Sequence, residues 1–259
     1  MRDFRQILVD LAAAVEAPLL RGFGGELTLN RKRGNELVTN VDRETHEIAS
    51  RFLRGKGFSF IVSEEDEQIS TKSREYWLID PLDGTREFAK QIPEFAFSAA
   101  WIVDGYIEAA LVSNPVWGFR ALATRQHGFA TQLRSPLPHP PGATLVSRSE
   151  LSRDLFTGFP AEPALHPMGS VALKLALVAA GYAHSTVSVQ PKHAWDVAGG
   201  IGLVEMAGGR ACDLAGNSFR FRDGRALLED GIFAAKIGAE ASSLQERARI
   251  RMHELKAAP

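Results

Sequence analysis

Apolar residues recur three and four positions apart near the start of the chain, at Ile7, Leu8, Leu11, Val15 and Leu19. This spacing predicts an amphipathic helix over residues 4 to 21, with Pro18 as a kink or break. A second helix is expected from about Val41 to Leu53, with Val41, Ile48, Phe52 and Leu53 as its buried stripe and Thr39 as its N-cap. The pattern then shortens. FSFIVS (58 to 63) and YWLI (76 to 79) are rich in aromatic and β-branched residues and read as buried strands. Each ends in carboxylates, Glu64-Glu65-Asp66 after the first and Asp80 after the second. FAFSAAWIV and YIEAALVSN flank Asp104-Gly105, and FRALAT and GFATQL flank Arg125 to His127, so two hairpins and a mainly antiparallel sheet are expected.

SPLPHPPG (135 to 142) holds four prolines and can continue neither helix nor strand. It marks the expected boundary between an N-terminal half, 1–134, and a C-terminal half, 143–259, packed as one compact unit. Beyond it, TLVSRS reads as a strand and SVALKLALVAAG as a helix closed by Gly181. Another helix covers about Trp195 to Ala207, followed by strand-turn-strand elements around Ala215-Gly216-Asn217. The charged segment 240 to 256 is expected to be a short solvated helix or a frayed tail.

Composition narrows the partners. With 45% hydrophobic residues in 259, the chain can bury a substantial core and is not a disordered tail. Thirty basic residues against 31 acidic ones leave a formal charge of -1, so nothing global favours a nucleic-acid polymer or an anionic membrane. A charged ligand must be bound by local arrangement. The single cysteine, Cys212, excludes an intrachain disulfide and multi-cysteine zinc sites, which makes the cytoplasm the expected compartment. Asp10 and Glu16 interrupt ILVDLAAAVEAPLL far short of the ~18 apolar residues of a membrane span, and the run lacks a secretion-signal pattern. No two of the seven histidines have the i, i+4 spacing of a helical zinc site, and His46 and His253 read as surface residues.

The candidate chemistry sits on the acidic strand ends. In DPLDGT, Pro81 restricts Asp80 to an extended conformation and Gly84 permits close backbone approach. Asp-Pro and Asp-Gly are ordinary turn dipeptides, so the bland reading is a turn alone. Two carboxylates just beyond a buried strand repel unless something compensates, however, and Asp80, the Leu82 carbonyl and Asp83 are hard oxygen donors suited to Mg²⁺. The amides of Gly84 and Thr85, opening the next helix, can face a phosphate. Glu64-Glu65-Asp66 taken alone is a solvated acidic triplet, but its place beside DPLDGT suggests one shared site. Thr39-x-x-Asp42 is a capping-box pattern that can also present Asp42 to a site. The bland reading of Asp196 is a favourable charge at the positive end of the helix dipole, while Gly199-Gly200 suggests that something packs closely. Lys174 reads either as a snorkelling surface residue or as a ligand contact.

Taken together, Thr39-x-x-Asp42, Ser63-Glu64-Glu65, Trp77-x-x-Asp80-Pro-Leu-Asp-Gly-Thr85, Gly169-Ser170 and Trp195-Asp196-Val-Ala-Gly-Gly200 resemble the inositol monophosphatase superfamily over about residues 4 to 235. The resemblance implies an α+β fold layered α-β-α-β-α, as in inositol monophosphatase and fructose-1,6-bisphosphatase. It implies a phosphoric monoester hydrolase with two or three Mg²⁺ ions, Mn²⁺ as a substitute, and Ca²⁺ and Li⁺ as inhibitors. Glu65, Asp80, the Leu82 carbonyl, Asp83 and Asp196 would hold metal, with Glu64 in support. Thr85 with Asp42, assisted by Glu65, would activate the attacking water. Gly84, Thr85, Gly169, Ser170 and Lys174 would contact substrate, with Thr39, Trp195 and, more loosely, Lys32 in supporting places. A homodimer acting on a small phosphorylated metabolite is also implied.

The substrate branch is mixed. Thr85-Arg86-Glu87-Phe88 and the Lys174 helix resemble 3′(2′),5′-bisphosphate nucleotidases, whereas Ile92 to Ser98 and Asp213 to Asn217 resemble inositol monophosphatases. A gapless alignment puts Val189 where the latter have an acid, and His184 where an Asp is usual. Histidinol phosphate is a further substrate candidate. A haloacid-dehalogenase-type phosphatase would place its aspartates two apart, whereas Asp80 and Asp83 are three apart. A regulatory or binding protein that keeps the fold without turnover is the rival of a different class.

Overall fold

The N-terminal periodicity becomes α1, Phe4–Gly22, capped by the Asp3 side chain on the Gln6 amide. Contrary to the expected break, this helix continues through Pro18. The proline lies near its C-terminal end and is buried, which offsets the one backbone bond it forfeits. The structure is a computed structural model that describes residues 2–31, 37–65, 73–159, 164–224, 226–236 and 242–257. A short antiparallel pair, β1 (Leu29–Arg31) and β2 (Leu37–Thr39), leads into α2, Asn40–Gly55, with Thr39 as the N-cap. The buried stripe of α2 is Val41, Asp42, Thr45, Ala49, Ser50 and Leu53, with Ile48 and Phe52 only partly covered.

Next come β3 (Ile61–Ser63), β4 (Glu75–Asp83), the short α3 (Thr85–Ala89), β5 (Ala96–Val103), β6 (Tyr106–Asn114), β7 (Phe119–Thr124) and β8 (Gly128–Gln132). These strands form one six-stranded sheet in chain order, antiparallel except for β3 beside β4. Asp104 and Gly105, at φ 51° and 82°, make the tight β5–β6 turn that the sequence signals.

The second half contributes β9 (Thr144–Ser147), α4 (Arg148–Leu151), β10 (Leu165–Met168), α5 (Val171–Ala179), β11 (Ser185–Ser188), β12 (Lys192–His193), α6 (Ala194–Met206), β13 (Arg210–Cys212), β14 (Leu227–Leu228), β15 (Ile232–Ala235) and α7 (Ser242–Ala257). Its main sheet has the order β10-β9-β11-β15-β13, while β12 and β14 pair separately. The turn at Asp213 to Asn217 is present, but β13 pairs with β15 rather than with a strand just after that turn. The last segment is not merely solvated. Leu244, Ala248 and Met252 of α7 pack on the outer face of the second sheet.

The inner strands of both sheets are buried on both faces, so they read as continuous apolar runs instead of alternating ones. Trp77, Ile79, Phe97 and Trp101 face α1 and α2, whereas Tyr76, Leu78, Ala100 and Ile102 face α5 and α6. The second sheet sends Leu145, Ile232 and Ala234 toward α5 and α6, and Val146, Val187 and Phe233 toward α7. The layers are therefore α-β-α-β-α. The central helices are shared, and one core runs from the first sheet into the second. Glu16, which interrupts the first apolar run, ties α1 to the sheet by accepting two bonds from Arg120 and one from Ser113.

Candidate active site

The parity of β4 places Asp80 on the same face as Tyr76 and Leu78, beneath α6. Its pairing with β5 then slips. Asp80 lies opposite Ser98 and Asp83 opposite Ala96, so three steps along β4 match two along β5. The bulge accommodates Pro81, and the Leu82 amide closes it by donating to Asp80 Oδ1 at 3.0 Å. Gly84 has φ 95°, and a Cβ there would lie 2.9 Å from the Glu94 carbonyl, so only glycine fits. The six-residue turn is a built corner at the end of a buried strand.

This corner opens on a cleft of about 250 Å³ whose walls include Glu64, Asp80, Leu82, Asp83, Gly84, Thr85, Gly169, Ser170 and Asp196. Asp83 Oδ2 accepts from the Ser170 hydroxyl and the Ala172 amide, both at 2.6 Å, so the start of α5 grips the aspartate turn. Ser170 holds φ 37° in doing so. Thr85 Oγ1 lies 3.0 Å from both Asp42 Oδ1 and the Leu82 carbonyl. Asp42 is 1% exposed, and its other oxygen accepts from the Thr39 amide and hydroxyl, so the capping box also aims the carboxylate at Thr85. Asp196 sits in the first turn of α6 and accepts from the His193 amide at 2.9 Å. Trp195 stacks on the His193 ring at 4.4 Å and 9°.

Electrostatically, the cleft is unsettled by its own charges. Burial, followed by Glu64, Asp83 and Asp196, pushes Asp80 well above the ordinary carboxylate range. Burial and then Asp83 and Glu64 do the same to Asp196. Asp83 is raised by burial, against the two bonds from Ser170 and Ala172. Burial pushes Asp42 up to about 6, with the Glu65 charge adding to the shift. Among the described residues, no three His, Cys, Asp or Glu side chains converge in a ready-made metal cage. The donor set nevertheless suits a hard cation. On each of Asp80, Asp83 and Asp196, the hydrogen bonds from described residues fall on a single carboxylate oxygen, and the Leu82 carbonyl stands between the first two.

One expectation needs correction, and two residues cannot be placed. Lys174 is neither a surface residue nor part of the cleft wall. It is 2% exposed, and its Nζ donates to the carbonyls of Met168, Gly169 and Ser170 at 3.2, 2.8 and 3.1 Å. It therefore braces the turn that presents Ser170 to Asp83. Val189 is buried in the outer core and does not line the cleft. Lys32 and Asp66 lie outside the described residues. The wall also contains Arg148 and Lys192, which sequence reasoning missed. The available signal was basic residues standing next to Ser147-Ser149 and two positions before Ala194.

Lys174 supplies a stability prediction. Burial lowers its ammonium from the ordinary 10.5 to about 8. Lys174→Met should destabilise the fold by about 1–3 kcal/mol, because three carbonyls lose their donor. A depressed pKa means that the charged form costs stability in full below about 8, and that this cost is relieved as pH rises toward 10.5. Urea titrations should accordingly show the wild type gaining on the variant between those values, and a constant gap would contradict this placement of the ammonium.

A layered α-β-α-β-α fold with a carboxylate-walled cleft at the ends of its strands defines the class of protein. The model of the inositol monophosphatase family matches residues 1–252, and the chain belongs to that family. It is 33% identical over 218 residues to the Nus factor SuhB of Pasteurella multocida, covering 74% of this chain and 77% of that protein. It is 29% identical over 213 residues to the 3′(2′),5′-bisphosphate nucleotidase CysQ of Salmonella typhimurium, covering 78% and 86%. The solved Thermotoga maritima IMPase superposes with a TM-score of 0.79 at 22% identity, covering 98% of each chain.

Proposed function

We propose that the protein is a magnesium-dependent phosphomonoesterase that transfers the phosphoryl group of a small phosphorylated metabolite to water. The observation that carries this reading is the arrangement of Asp80, Asp83 and Asp196, each tied by described residues through one oxygen only, all three pushed upward by burial and Asp80 and Asp196 also by like charge. Asp80, the Leu82 carbonyl, Asp83, Asp196 and Glu65 would hold Mg²⁺. When bound, the ion supplies charge neutralisation and water activation. Thr85 and Asp42 form a hydroxyl–carboxylate relay that can orient a water molecule and take its proton. Gly84 and Thr85 line the cleft where the phosphate would sit, and no cysteine or histidine nucleophile is needed. On family likeness alone we also read it as a cytoplasmic homodimer inhibited by Li⁺ and Ca²⁺.

A purely regulatory role is the second reading, since a 33% identical relative is named as a Nus factor. The Thr39–Asp42–Thr85 chain of contacts supports turnover, because binding alone does not require a buried carboxylate aimed at a hydroxyl. Phosphate release should appear with Mg²⁺ and vanish with chelator. If no ester in a broad phosphomonoester panel is hydrolysed at saturating Mg²⁺, the reading fails. The pH profile gives a second check. Asp42 must be ionised to accept a proton, so the rate should rise on the acid side with a midpoint no higher than about 6, since a cation beside Glu65 lowers it. Asp42→Asn should remove that acid limb along with most of the rate.

A further inference from the structure

Besides Arg86 just after the aspartate turn, the cleft wall carries two cations that are each fixed by a buried glutamate. Arg148 donates from Nη2 to Glu94 Oε2 at 2.5 Å, and Glu94 is itself held by the Gly169 amide at 2.8 Å. Lys192 donates from Nζ to Glu150 Oε1 at 3.1 Å, and Glu150 also accepts from the Val189 amide at 3.0 Å and from the Ser188 hydroxyl. Glu94 is 7% exposed and Glu150 1%. Their partners remain accessible, with 38% of the Arg148 side chain and 17% of the Lys192 side chain exposed, and both line the same cleft as the metal-type carboxylates. Both hydrogen bonds from Arg148 to described residues leave from Nη2. Its buried Nε has no hydrogen-bond partner among the described residues, and Glu87 Oε1 stands 3.9 Å away as an ion pair beyond hydrogen bonding.

Cations beside a metal site weaken it unless they serve something else, because they compete for the same carboxylates. On the phosphatase reading, the phosphate that reacts would be served by the cation on the aspartate turn and by Gly84-Thr85. A neutral polyol leaving group has no need of an arginine and a lysine, and a cationic one would be repelled by them. We infer that Arg148 and Lys192 form a clasp for a second phosphate on the leaving group, so that the preferred substrate is a bisphosphate. The planar guanidinium suits paired phosphate oxygens, while the ammonium adds a point charge. Glu94 and Glu150 act as positioning residues that hold the two side chains in place. This inference rests on the phosphatase reading for turnover, but not for binding.

Matched substrates test it. Adenosine 3′,5′-bisphosphate and adenosine 3′-monophosphate form one pair, and fructose 1,6-bisphosphate and fructose 1-phosphate form another. The wild type should favour the bisphosphate in at least one pair. Lys192→Gln should lower that kcat/KM ratio roughly 10- to 100-fold, the worth of one charged hydrogen bond, mainly through KM. Lys192→Arg should restore most of the ratio, which a strut that merely supports the fold would not do. A ratio in both pairs that is indifferent to the second phosphate, or unchanged by Lys192→Gln, overturns the clasp. Calorimetric titration with adenosine 5′-monophosphate and with fructose 6-phosphate separates this outcome from failure of the phosphatase reading. If no ester is hydrolysed but either ligand binds more weakly to Lys192→Gln, the clasp stands and the enzyme reading falls. If neither ligand binds and nothing is hydrolysed, both fall.

Discussion

Asp83→Asn should cut kcat by about 10³-fold or more while making the metal-free protein more heat-stable. The amide keeps the volume and an oxygen acceptor for the Ser170 hydroxyl and Ala172 amide, so the grip between the aspartate turn and α5 survives. What is lost is one negative charge. A bound metal supplies several kcal/mol of charge stabilisation, and about 4 kcal/mol corresponds to three decades in rate. The same charge raises both Asp80 and Asp196, so its removal relieves like-charge repulsion in the folded protein. Carboxylates whose folded pKa is raised give stability that is full below the ordinary 3.8 and lost as pH rises through the raised value. Without Mg²⁺ the wild type should therefore lose stability from acid toward neutral pH more steeply than the variant. Adding Mg²⁺ should raise the wild-type Tm and raise that of Asp83→Asn much less. Equal Mg²⁺-induced shifts in the two proteins would remove Asp83 from the metal-binding set, whatever happened to the rate.

How legible this site was depended on where each residue's partner lies. The aspartate turn, the Thr39–Asp42 box and the Trp195-Asp196 helix start were readable because the determining contacts are local: Leu82 amide to Asp80, Thr39 amide to Asp42 and His193 amide to Asp196. The β5–β6 and β7–β8 hairpins were readable for the same reason. Arg148 and Lys192 were not, since Glu94 and Glu150 stand 54 and 42 positions away and only the fold brings them together. Lys174 misled because its partners are backbone carbonyls, which leave no mark on the sequence. In α7 the charged residues concealed a buried stripe, Leu244, Ala248 and Met252, at the spacing of successive turns. The strand β10, LHPM, is short, proline-bearing and at a sheet edge, so it gives almost no periodic signal.

Gly200→Val should destabilise the fold by about 3 kcal/mol and also loosen metal binding, because α6 is wedged between a sheet and a helix. A Cβ at Gly200 would lie 2.4 Å from Leu175 Cβ and 3.2 Å from the Ala172 carbonyl, against α5. One at Gly199 would lie 2.4 Å from Ser98 Oγ and 3.1 Å from the Leu111 carbonyl, against β5 and β6. Gly202 meets Ile107 Cγ2 at 2.6 Å on the sheet side. Replacing a helical glycine ordinarily gains up to about 1 kcal/mol in propensity, so these positions resist a change that the helix alone would favour. Gly55→Ala is the control: that glycine ends α2, a Cβ there would meet nothing within 4 Å, and its replacement should be neutral or stabilising. The cost at Gly200 reaches the chemistry because Asp196 rides on the first turn of the same helix, four residues earlier. Relief of the clash by sliding α6 away from α5 would carry Asp196 from Asp80 and Asp83. The Mg²⁺ concentration needed for half-maximal stabilisation should then rise in the molecules that still fold. A variant that loses stability but keeps its Mg²⁺ response would show that α6 absorbs the strain locally, and that the glycines serve packing without setting the position of Asp196.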